Sequence, residues 1–229
     1  MQCTIQTITP KLEDTLNFYR RLGYTIKENE GNYSFSDGSV NIELNTSSFA
    51  RVGLRFYNSS WTNEIEALEK QYQIYTKDDH RIITAEGNTW IYLIEADTNE
   101  HTLPSSDQRA VLGNYGGISI ETGEMRKLSQ LFTTLGFEFE NGSADAPWCT
   151  MKAQNGFSIS IMTPNNCPHL FASPSLNYFN NKSNPEIINA IRAKGIEPWE
   201  EITVFNPQNE VDNISLRDPG GLGFFVFND

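Results

Sequence analysis

LEDTLNFYRRLGY (residues 12–24) and MRKLSQLFTTLGF (residues 125–137) carry the same pattern 113 positions apart. Leu12, Leu16, Tyr19 and Leu22 in the first, and Met125, Leu128, Leu131, Phe132 and Leu135 in the second, fall at helical spacing and give each helix one apolar stripe. Each helix ends on a leucine. A glycine follows, the residue that reverses a chain after a helix at no steric penalty. An aromatic then opens a strand. A repeat of this length implies a duplicated fold.

Working outward, the chain reads as strand, helix and three strands, four times over. The first unit has a strand at 3–8, a helix at 11–22 and strands at 24–28, 32–36 and 39–45, the last two joined at Asp37-Gly38, a hairpin signal. The second has a strand at 51–57, a helix at 61–72 carrying Trp61, Ile65, Leu68 and Tyr72, and strands at 74–77, 81–85 and 89–95 with a turn at Gly87-Asn88. The third has a strand at 115–120, a helix at 123–135, and strands at 137–140, 148–153 and 157–162 with a turn at Asn155-Gly156. A loop at 163–174 leads to the fourth: strand 175–179, helix 185–194, and strands 196–204, 211–216 and 222–228. Asn184 suits an N-cap, Pro185 the first helical position and Gly195 the reversal. The polar stretch 97–113, DTNEHTLPSSDQRAVLG, reads as a linker. The expected fold class is α+β: a first domain over 1–98, a linker at 99–113 and a second domain over 114–229, each of two βαβββ units.

The chain has 229 residues, enough to bury a core without disulfide or metal staples. No apolar run approaches the roughly 20 residues of a membrane helix. The opening MQCTIQTITPKLED has neither a basic nor an apolar region of a signal peptide, so a cytoplasmic location is expected. A formal net charge of −12 without a basic patch speaks against nucleic acid and anionic membrane as partners. Cys3, Cys149 and Cys167 lack CxxC spacing, which argues against a disulfide framework and a zinc site; buried, inert thiols are expected at Cys3 and Cys149. No GxSxG, Walker loop or GxGxxG is present, and DPGGLG at 218–223 has no helix after it to complete a phosphate cradle.

Four βαβββ units, FYRRLGY and LFTTLGF behind the helices, and LRDPGGLGFFVF at 216–227 resemble the vicinal oxygen chelate superfamily, which includes glyoxalase I, extradiol dioxygenases and bleomycin-resistance proteins. The resemblance spans nearly the whole chain as two tandem glyoxalase-like domains. It implies a trough in each domain, with alternate strand residues pointing in. In catalytic members that trough holds a divalent metal on His, Glu or Gln from the first and last strands of each unit.

The positions matching that ligand set here are Thr4, Glu43, Arg51 and Tyr92 in the first domain, and Gly117, Ser160, Pro174 or Ser175, and Phe225 in the second. Only Glu43 agrees with the pattern. A guanidinium about 4 Å from a divalent ion adds about 8 kcal/mol of repulsion at an effective dielectric of about 20. Arg51 is therefore expected to pair with Glu43 instead. His80 follows a turn, His101 lies in the linker and His169 in the 163–174 loop, and each is read as a surface residue. No metal and no cofactor are expected.

The candidate ligand-binding residues are Glu43, Arg51, Tyr92, Arg55 and Tyr33 in the first trough, which suit a carboxylate or phenol. In the second they are Trp148, Ser160, Tyr178 and Phe225, which suit a planar molecule. No catalytic residue is assigned. The leading function is a metal-independent small-molecule-binding protein of the glyoxalase and bleomycin-resistance type. The alternatives are a metal-dependent lyase, isomerase or dioxygenase of the same superfamily, and a non-catalytic interaction module. Tandem fusion supplies internally the pairing that single-domain relatives obtain by dimerising, so a monomer or homodimer is expected.

Overall fold

A computed structural model describes residues 1–77, 79–96 and 109–229. The first half gives β1 (Gln2–Ile8), α1 (Leu12–Leu22), β2 (Thr25–Asn29), β3 (Asn32–Ser36), β4 (Asn41–Asn45), β5 (Gly53–Asn58), α2 (Thr62–Leu68), β6 (Ile74–Lys77), β7 (His80–Ala85) and β8 (Thr89–Glu95). The second gives β9 (Tyr115–Glu121), α3 (Met125–Thr134), β10 (Phe137–Gly142), β11 (Trp148–Ala153), β12 (Ser158–Met162), β13 (Ser175–Phe179), α4 (Asn184–Ala193), β14 (Glu200–Ile202), β15 (Asn213–Arg217) and β16 (Gly223–Phe227). These are the four expected βαβββ units, with α2 shorter than its apolar spacing suggested and β14 cut to three residues.

Each half folds into its own curved eight-stranded sheet, ordered β2-β3-β4-β1-β5-β8-β7-β6 and β10-β11-β12-β9-β13-β16-β15-β14. At the centre of each, the first strands of the two units run antiparallel, and each pairs in parallel with the last strand of its own unit. This arrangement gives each sheet an internal twofold relation and brings four strands to one trough.

The repeated helix motif has a local cause. In α1 the Gly23 N–H bonds the Arg20 carbonyl at 3.1 Å and the Tyr24 N–H bonds Tyr19 at 3.0 Å, while Gly23 sits at φ +89°. This is the Schellman reversal, and Tyr24 seals it edge-on against the Tyr19 ring at 5.2 Å. Gly136 repeats the device at φ +89°, with Phe137 edge-on to Phe132 at 5.4 Å. Asn184 departs from its expected cap role. Its Nδ2 donates to the carbonyls of Asp212 and Val226, so it ties α4 to the sheet instead of capping the helix.

The helices lie between the two sheets, and one apolar core spans both halves. Tyr19 of α1 stacks on Phe35 of β3 at 3.9 Å and meets Phe224 of β16 at 6.2 Å. On the other side Phe56 of β5 packs against Phe132 and Phe137. Two buried polar knots pin the halves together. In one, an Asp218 oxygen accepts from the Thr7 hydroxyl at 2.5 Å and the Tyr19 hydroxyl at 2.8 Å. In the other, Tyr24 and Tyr178 share a hydrogen bond at 2.5 Å and Tyr178 donates to Asp37 at 3.2 Å. Residues 97–108 lie outside the described region, and with them most of the expected linker and His101. Its end, 109–113, is clamped between the halves: Leu112 is fully buried, the Val111 N–H bonds Leu22, and Asn180 donates to the Leu112 carbonyl.

The turn after Asp218 meets β1 without room for a side chain. A Cβ on Gly220 would stand 2.0 Å from the Ile8 carbonyl oxygen. Gly220→Ala must push two backbones apart, and we expect a loss of about 1–3 kcal/mol in urea unfolding.

Candidate functional site

Alternation along the strands sends Ile5, Ile42, Leu54, Ile91 and Leu93 to the core, and Thr4, Gln6, Glu43, Arg55, Tyr57 and Tyr92 to the first trough. That trough is filled. Tyr57, Tyr92 and Ile94 form a buried apolar cluster, with Ile82, Trp90 and Ala96 packed on it. Glu43 accepts from Thr4 at 2.6 Å and from Tyr57 at 2.7 Å, and pairs with Arg55 at 2.7 Å; both ionic side chains are 16% exposed. Burial, and then the adjacent Glu43 carboxylate, push the Tyr57 hydroxyl above its ordinary range, so it serves as a donor. Arg55 also donates to His80 Nε2 at 3.0 Å, which leaves His80 Nδ1–H for Asp79 at 2.6 Å. What remains open is a pocket of about 210 Å³ beside Gln6, Asn45, His80 and Trp90.

Several expectations for this trough are corrected. Arg51 does not pair with Glu43. It precedes β5, and its guanidinium bonds the carbonyls of Phe49 and Ala50; the partner is Arg55, placed inward by the sheet pairing. Tyr33 lies opposite Leu44, on the core side of the sheet, and so is not in the trough. His80 is half-buried within the polar network, not a surface residue. Tyr92 is inward as expected, with its hydroxyl held by the Arg51 backbone.

The second trough is the open one. Gln6 stands opposite Glu43 and Gly53, as Ser119 stands opposite Ser160 and Ser175. That register makes Glu43 equivalent to Ser160, Arg55 to Asn177, Tyr92 to Phe225 and Trp90 to Gly223. Three of the four large fillers of the first trough are thus small or neutral here, and a cavity of about 620 Å³ results. Phe225 forms part of its wall, and Trp148, 47% exposed, stands at its mouth. Asn177 is 4% exposed; its Nδ2 donates to Ser119 at 2.5 Å and its Oδ1 has no partner. His169, expected at the surface, packs edge-on to Phe225 at 4.9 Å with Nε2 unpartnered. Trp148, Ser160 and Phe225 line the cavity as expected. Tyr178 does not, because Leu176 and Tyr178 alternate toward the core while Asn177 and Phe179 face the trough. The signal was in the sequence: in SLNYF the polar Asn177 sits out of phase with Leu176, and Phe227 in phase with Phe225.

Solved structures share this architecture. The 2,2',3-trihydroxybiphenyl 1,2-dioxygenase of Sphingomonas wittichii aligns over 99% of this chain and 91% of its own, at 15% identity and a TM-score of 0.57. The 2,3-dioxygenase LapB of Pseudomonas aligns over 99% and 91%, at 12% identity and 0.59. The Mn(II)-bound glyoxalase of Novosphingobium aromaticivorans aligns over 97% and 79%, at 12% and 0.58. The chain has the vicinal oxygen chelate fold. No family sequence model and no curated protein sequence matches it.

The resemblance drawn from the sequence implies, for catalytic members, a divalent metal in a trough, and the donors here do not fit one. Glu43 has its oxygens committed to Thr4, Tyr57 and a guanidinium. At the matching point of the second trough stand Ser119, Ser160, Asn177 and Phe225, none of them an anionic or imidazole ligand. Among the described residues no group of three His, Cys, Asp or Glu side chains is placed to hold an ion. The thiols offer no substitute: burial pushes Cys3 up to about 12 and raises Cys149 and Cys167, so none is a ready thiolate. Among the described residues, no helix is long and apolar enough to cross a membrane.

Proposed function

We propose that the second trough is a small-molecule-binding site that works without a divalent metal, and that the first is its filled structural counterpart. The observation that carries this reading is the cavity of about 620 Å³, walled by aromatic rings and floored by a buried amide with an unpartnered oxygen. Apolar concavity with a few convergent polar groups is how small-molecule sites are built.

A fragment library screened by thermal shift in EDTA tests it. A fragment at about 100 times its Kd should raise the melting temperature by roughly 5–10 °C. Ser160→Phe, which fills the trough with the kind of ring found at its neighbours, should abolish those shifts while the protein still unfolds cooperatively. The second reading, a metal-dependent enzyme, is favoured by the Mn(II) in the glyoxalase of the same fold. Stoichiometric Ni, Zn, Fe or Mn in protein purified without chelator would establish it in place of the first.

A further inference from the structure

We infer that the ligand of the second trough is an organic cation, an ammonium or protonated amine on an apolar body. This rests on the binding reading above and adds the sign of the charge.

Three independent features agree. Aromatic faces attract cations through the ring quadrupole, most strongly where water is excluded. Phe171, Phe225 and Phe227 crowd the inner wall around His169, at 6.4, 4.9 and 5.6 Å, while Trp148, Phe179 and Phe205 stand partly exposed around the mouth.

Among the lining residues, the buried polar atoms left without a partner are acceptors. Asn177 Oδ1 is free because Nδ2 is spent on Ser119. His169 Nδ1 lies 2.9 Å from the Leu170 carbonyl, which only accepts, so Nδ1 carries a proton and Nε2, in the tautomer that leaves it bare, is an acceptor without a partner. N–H donors on a ligand are the complement that both atoms lack. An anion would leave both buried and unpaired.

The charged side chains that line the cavity are acidic. Asp229 and Glu140 line the cavity, and no lysine or arginine does among the described residues. The loop closing one side is held by carboxylates: Glu121 accepts from Asn165 N–H and Glu200 from Leu170 N–H. Asp212 accepts from Asn206, Asn213 and Asn228. Of these five carboxylates, only Glu140 has a cationic side chain against it among the described residues, namely Lys152 at 2.8 Å. Asp229 on the lining, with Glu121, Glu200 and Asp212 bonded to residues on or next to it, leaves a net negative field that favours cations.

Isothermal titration of the full chain with 2-phenylethylammonium, 2-phenylethanol and phenylacetate, probes of like size and different charge, tests the inference. We expect the ammonium to bind about tenfold more tightly than the alcohol, and phenylacetate more weakly than either. Added salt should erode the ammonium's advantage. Asp229→Asn keeps the side-chain acceptor for the Asn181 N–H and should weaken ammonium binding about threefold with the alcohol unchanged. Alcohol or carboxylate binding as tightly as the ammonium overturns the inference and leaves a binding trough standing. No binding of the ammonium also overturns it, and the fragment library then decides the broader reading by itself.

Discussion

Asp218→Ala should destabilise the protein by about 3–5 kcal/mol, read as a lower denaturant midpoint. Asp218 is buried at the turn before β16, yet two of the three groups it serves belong to the other half. Thr7 and Tyr19 donate to one oxygen, and the Leu222 N–H donates to the other at 2.8 Å. Truncation strands all three donors where water does not reach them, and each stranded donor costs about 1–3 kcal/mol. Asp218→Asn keeps an acceptor for Leu222 and offers its amide to the hydroxyl oxygens, so it should lose less.

The two variants also separate hydrogen bonding from charge. Burial raises the Asp218 carboxyl above its ordinary range, against the lowering effect of its hydrogen bonds. The unfolded chain therefore releases this proton at lower pH than the native protein does. The stability it contributes is fully present below the ordinary carboxylate range and is lost as pH rises through the native value. The gap between wild type and Asp218→Asn should narrow from acid toward neutral pH. A gap independent of pH would show that folding leaves the proton affinity of this carboxyl unchanged, and a gap that widens with pH would show that the fold favours its ionised form.

Glu43→Ala should cost about 3–5 kcal/mol, and the double variant Glu43→Leu with Arg55→Met much less. The single change leaves the Arg55 guanidinium, 16% exposed, and the buried Tyr57 hydroxyl without the carboxylate they share. The double change removes both charges and extends the apolar cluster of Tyr57, Tyr92 and Ile94. A double-mutant cycle measures their coupling. Arg51→Ala is the control, since that guanidinium bonds two nearby carbonyls and lies over the Trp90 ring at 5.9 Å without meeting a carboxylate, and it should change stability by less than about 1 kcal/mol. Small-molecule binding in the second trough should survive all of these changes, provided the protein folds. Loss of binding in the folded double variant would place the working site in the first trough.

What was legible in the residues is local. Gly23 and Gly136 end their helices because only a residue free to adopt positive φ closes that reversal, and the aromatic after each is the seal. The alternation of Ile5, Ile42 and Leu54 with polar neighbours marks which face is buried. Glu43, Trp148, Ser160 and Phe225 followed from that periodicity. Tyr33 and Tyr178 went astray by one residue of strand phase, which moves a side chain to the opposite face. Arg51 had the right phase but fell outside its strand, where phase no longer dictates direction.

The sequence by itself determined four βαβββ units, the duplication and the poverty of metal donors, because helix caps, strand alternation and residue chemistry act over a few positions. Only the tertiary structure decided which trough is open. Glu43, Arg55 and Trp90 fill one, and Ser160, Asn177 and Gly223 leave the other hollow. Those residues are far apart in the chain, and whether they close a cavity depends on strand register and the volumes meeting across it. His169 shows the same point: nothing local distinguishes it from a surface histidine until a distant strand brings Phe225 beneath its ring.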